Sequence, residues 1–73
     1  MARLPVISGA EAVRRFKRAG WRVERQRGSH VILLKEGRVA SLSVPQHSEL
    51  AAGTLRALIR AAGMTVEEFG RLR

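Results

Sequence analysis

The sequence predicts an α+β fold in the order α-β-β-β-α, closed by a short terminal helix. Three observations predict it. A serine-capped apolar stripe at helical spacing opens the chain, strand-like stretches separated by glycine turns fill its middle, and a second helical stripe with its own downstream cap ends it. Residues 1–73 are read as one domain, because a chain this short has room for a single core. The absence of cysteine removes disulfides and thiolate metal sites as stabilisers. Two histidines with few nearby carboxylates make a poor zinc set, so neither a metal nor another cofactor is expected.

The first helix is read at about residues 9–19. Ser8-Gly9-Ala10-Glu11 has the spacing of a capping box, Ala12, Val13, Phe16 and Ala19 repeat on one side, and Gly20 supplies the stop. Arg14, Arg15, Lys17 and Arg18 fall mostly on the other side, as a solvated basic face. A first strand follows over Trp21–Gln26, with Trp21 and Val23 expected inward and Trp21 in the core. Arg27-Gly28-Ser29 is a turn, and His30 to Lys35 is a second strand rich in branched residues. Glu36-Gly37 turns the chain into a third strand, Arg38 to Val44, with Ala40, Leu42 and Val44 alternating against Ser41 and Ser43. Pro45 ends that ladder because it has no N–H to donate. Leu55, Leu58, Ile59 and Ala62 then mark a packed helix that starts at Ser48 or Gly53 and closes at Gly63. Thr65-Val66-Glu67-Glu68 is a second capping box, opening a terminal helix with Phe69 and Leu72 apolar.

A three-stranded antiparallel meander with two long helices places both helices on one face and leaves the other open. If Val31 and Leu33 face the helices, then His30, Ile32 and Leu34 share the open face as a docking patch. The reverse parity turns His30 inward. Pattern alone leaves both open.

Charge narrows the function. Fourteen basic residues, twelve of them arginine, oppose six acidic ones for a net +8, which favours polyanions through phosphate contacts. The stretch Met1–Ile7 is too short and too broken by Pro5 for a secretory core, and the longest aliphatic run, Val31–Leu34, is far below a membrane span. A cytoplasmic protein with no membrane partner is expected.

Gly28-Ser29-His30-Val31-Ile32-Leu33, Val44-Pro45-Gln46-His47 and the run Gly53-Thr54-Leu55-Arg56 through Glu67-Glu68-Phe69 together resemble the HicA family of toxin–antitoxin modules. The resemblance runs from the Ser8-Gly9 cap to Phe69. It implies a double-stranded-RNA-binding-like fold, metal-independent cleavage of mRNA, and a HicB-type antitoxin partner that blocks the active site. The family's catalytic histidine falls on His30, and His47 matches the pattern's second histidine. One departure stands out: relatives often carry a lysine before the glycine-threonine pair, where this chain has Ser48-Glu49-Leu50-Ala51-Ala52.

Imidazole suits this chemistry because it exchanges protons near neutral pH. A base must take the 2′-hydroxyl proton and an acid must protonate the leaving 5′-oxygen; one histidine serves one of these steps at a time. Arg22, Arg25, Arg27 and Arg38 are assigned to the histidine end of the hairpins as phosphate contacts, with Ser29 and His47 beside them as further RNA-binding candidates. Ile32 and Leu34 are the candidates for antitoxin docking. The competing reading is a non-catalytic double-stranded-RNA-binding module. Such modules place a lysine cluster at the start of the last long helix, and Ser48–Gly53 holds none. A structural protein of a ribonucleoprotein particle also fits the charge but leaves His30 without a task.

Overall fold

A computed structural model describes residues 3–73; Met1 and Ala2, at the head of the stretch read as too short for a secretory core, lie outside the described residues. The elements run α1 Gly9–Arg18, β1 Arg22–Arg27, β2 His30–Leu34, β3 Leu42–Pro45, α2 Ala52–Ala61 and α3 Val66–Gly70. The strands form one antiparallel sheet in the order β1-β2-β3. This is the expected α-β-β-β-α arrangement with a short helix behind it. Among the described residues no helix is long and apolar enough to cross a membrane.

Both long helices end in the same way. Gly20 N–H donates to the Lys17 carbonyl and Trp21 N–H to that of Phe16; Gly63 N–H donates to Arg60 and Met64 N–H to Ile59. These are Schellman ends, which need a left-handed residue just past the helix. Gly20 and Gly63 supply it at φ 100° and 73°. Carbonyls beyond those pairs are taken by the β2–β3 connection. Lys35 Nζ donates to the Ala19 carbonyl at 2.8 Å, and an Arg38 guanidinium nitrogen donates to the Ala61 carbonyl at 2.9 Å. Two cations from one short loop thus sit on the negative ends of two helix dipoles.

That clamp explains why the third strand is shorter than expected. With Arg38 engaged at the end of α2, residues 38–41 do not pair with β2; Val39 and Ala40 are exposed and β3 starts at Leu42. Pro45 closes β3 as its last residue, yet the ladder continues one step, because Gln46 N–H donates to the Ser29 carbonyl at 2.6 Å. Trp21 is buried as expected, just ahead of β1, although its indole N–H has no partner among the described residues. Val23 is not buried: it stands opposite Leu33 on the helix side of the sheet but lies on the edge strand β1 and stays 45% exposed.

The core is built from Phe16, Leu33, Leu42, Val44, Leu55, Ile59 and Phe69, all essentially inaccessible. Phe69 joins it from α3, its ring 5.0 Å from that of Phe16, while the Arg15 guanidinium covers the same ring at 5.5 Å. The outer face expected for Arg15 is therefore only partly solvated. Thr65 and Glu68 complete their capping box with bonds of 3.0 and 2.8 Å. At α1 only half of the expected box forms. Ser8 Oγ accepts from Glu11 N–H at 3.0 Å, but the Glu11 carboxylate turns to Arg14 and Arg15. The start of α2 falls between the two expected positions, because buried Leu50 is tied to the Ile7 carbonyl through its own N–H and delays the helix to Ala52.

Truncating Phe69 to alanine should cost about 3–5 kcal/mol, a large share of what a domain of this size has, and thermal unfolding followed by circular dichroism reads the loss. The guanidinium of Arg14, helped by Arg15, pulls the Glu11 carboxyl from its usual 4.5 down to about 2. The folded-state value is depressed, so the stabilisation is whole above about pH 4.5 and disappears as pH falls through about 2. Urea midpoints of the wild type and Glu11→Gln should accordingly differ at pH 6 and converge by pH 2.

Candidate functional site

Register decides what lies beside His30. Val31 and Leu33 are buried against the helices, so the open face carries His30, Ile32 and Leu34, with His30 exposed and the two aliphatics half-buried. In an antiparallel pair, directly opposed residues point to the same side. Across the β1–β2 pairing Arg27 opposes His30, Arg25 opposes Ile32 and Arg22 opposes Leu34. On the other flank Pro45 opposes His30 and Ser43 opposes Ile32.

The arginine alignment rests on an irregularity. Between Val23 and Arg25 the register slips, leaving Glu24 unpaired as a bulge. Simple alternation would send Arg22 to one face and Arg25 and Arg27 to the other. The extra residue restores the phase, and all three reach the open face. Glu24 also ion-pairs with Arg25 at 2.8 Å. Among the described residues Arg22 and Arg27 make no ion pair.

Two residues, Gly28 and Ser29, turn β1 into β2. Gly28 stands first with φ 56°, the position that type II′ hairpins reserve for glycine. This tight turn holds Arg27 and His30 as direct neighbours. A cleft of about 290 Å³ opens there, lined by Arg27, His30, Ile32 and Ser43.

The second motif arrives at the same end of the sheet. Pro45 pairs with His30, and two residues later the His47 carbonyl accepts the Gly9 N–H at 2.9 Å. A Cβ on Gly9 would run into the Pro45 carbonyl, so the helix start abuts the end of β3. His47 is exposed, as is Ser29. Each of α1 and α2 has its carboxyl end at the Lys35–Arg38 loop, so their positive amino ends lie toward the histidine end. Among the described residues no three His, Asp or Glu side chains gather in a metal-holding group.

Two expected placements need correction. Arg38 is not with the histidine: it follows the far end of β2 and is engaged at the carboxyl end of α2. Arg22 does lie on the open face, but opposite Leu34, at the end remote from His30.

The family model described as HicA toxin of bacterial toxin–antitoxin matches residues 9–64. The chain belongs to the HicA toxin family. No curated protein matches it. Membership makes it the toxin side of a toxin–antitoxin pair and implies a HicB antitoxin in the module. The matched span holds every strand and both long helices of this HicA chain; α3 lies beyond it. Ser43, in the cleft next to His30, and Lys35, which holds α1, were not singled out by sequence reasoning. The outward alternation of Ser41 and Ser43 is the signal that bears on Ser43, yet only the β2–β3 register brings it to the histidine.

Arg38→Met should cost about 0.5–1 kcal/mol, or roughly 3–6 °C in melting temperature, by releasing the Ala61 carbonyl. Amide chemical shifts of the open face should stay unchanged in that variant.

Proposed function

We propose that this HicA-family toxin is an endoribonuclease that cleaves mRNA without a metal, with His30 as the catalytic group. The observation that carries the proposal is an exposed imidazole set directly opposite an arginine with no carboxylate partner among the described residues, in an open cleft. An imidazole there can take the proton from a 2′-hydroxyl. The oxygen then bonds to the adjacent phosphorus, the bond to the 5′-oxygen breaks, and that oxygen leaves with a proton. The products are a 2′,3′-cyclic phosphate and a 5′-hydroxyl. Arg27 is placed to accept the charge that builds on the non-bridging oxygens. His47 and Ser29 sit at the same end and can contact the RNA backbone. Such an enzyme works in the cytoplasm, where mRNA is.

The HicB antitoxin is proposed to neutralise the toxin by covering the open face, with Ile32 and Leu34 as its apolar contacts and His30 beneath it. Half-buried aliphatics on an otherwise polar surface are what a protein partner would desolvate.

His30→Ala should keep its circular dichroism spectrum and lose about 10²–10⁴ in the rate of RNA cleavage measured in chelator. Undiminished cleavage by that folded variant would sink the assignment. Methyl signals of Ile32 and Leu34 should shift and lose solvent exposure when the antitoxin binds; unchanged spectra would place docking elsewhere.

A further inference from the structure

The open face is ordered along its length as well as at His30. Arg27, Arg25 and Arg22 stand opposite His30, Ile32 and Leu34, three consecutive positions of the same side of β2. The bulge at Glu24 makes a sequence spacing of three and two into an even spatial step. Two residues of strand advance roughly 7 Å, a step comparable to that between neighbouring phosphates on an extended nucleic-acid strand. The result is a column of cations parallel to a column of one imidazole and two aliphatics, with the cleft at its head.

We infer that this surface is a track for single-stranded RNA, running from the scissile phosphate at Arg27 and His30 over Ile32 to Leu34. Phosphates follow the arginine column, and ribose and base surfaces rest on Ile32 and Leu34. The inference rests on the proposed cleavage at His30 and adds the form of RNA taken and its footprint on one side of the cut. Charge complementarity selects RNA as the occupant. Two of the three guanidiniums have no acidic partner among the described residues, and Glu24, paired with Arg25, is the acid of β1. A duplex is a poor fit, because base pairing and stacking hide the surfaces that the aliphatic column would contact. Ser43, opposite Ile32, offers a hydroxyl to the edge of the first base beyond the cut.

The test uses RNA that cannot be cleaved, so it remains readable whether or not His30 cuts. Affinities of 2′-O-methyl single strands of two to eight nucleotides are measured by fluorescence anisotropy for the wild type, Arg22→Ala and Arg27→Ala. Wild-type affinity should climb with length and then level off. Arg22→Ala, at the far end of the track, should match the wild type on the shortest strands, level off earlier, and bind the longest about tenfold more weakly. Arg27→Ala should weaken every length. Annealing the complementary strand should cost at least about tenfold. Equal plateaus for the wild type and Arg22→Ala, or duplex bound as tightly as the single strand, overturns the track and leaves this face to the antitoxin. Loss of cleavage assignment at His30 with the length pattern intact would instead leave the track standing.

Discussion

The antiparallel register between β1 and β2 is the constraint on which the rest depends. Two features hold it: a two-residue turn that opens with Gly28 in the left-handed region, and a bulge at Glu24. A slip of one residue would flip every side chain of β1 to the other face. Arg27 would then leave His30, and Gln26 would take its place. The candidate site is therefore a property of the pairing, and the residues that enforce the pairing need not belong to it.

The helices serve this register from behind. Val31 and Leu33 press into a core shared by α1, α2 and α3, which commits β2 to one orientation and turns His30 to the open side. The polarity of the assembly is equally ordered. Lys35 and Arg38 hold the carboxyl ends of the two long helices at one end of the sheet, and the tie between Gly9 and His47 holds the helix start at the other. One end of the sheet anchors the helices; the other carries His30 and the cleft. A basic protein can divide its cations in this way because a guanidinium caps a helix as readily as it holds a phosphate.

An aliphatic pair beside the imidazole proposed as catalytic also offers a simple route to regulation. A partner that desolvates Ile32 and Leu34 covers His30 in the same step, because all three share one face of β2. On the proposed function, RNA and antitoxin share one surface, RNA drawn by charge and the antitoxin by apolar area.

Local signals determined much of this in advance. Ser8, Thr65, Gly20, Gly28 and Gly63 act within a few residues of themselves, so the starts of α1 and α3, the helix stops and the hairpin turn were legible from the chain alone, as was the excess of arginine; the start of α2, set by the Leu50–Ile7 bond, was not. The match of Gly28-Ser29-His30 and Val44-Pro45-Gln46-His47 to one family was legible too. Which face His30 occupies was not, since alternation gives parity but not sign; the burial of Val31 and Leu33 against distant helices supplied it. Glu24 looked like an ordinary strand residue, because a bulge exists only relative to a partner strand. Arg38 read as one more phosphate-seeking cation, and only the folded chain brings the Ala61 carbonyl, 23 residues away, within its reach. Short-range hydrogen bonding is written in neighbouring residues, whereas register and charge placement arise from contacts between segments that meet only after folding.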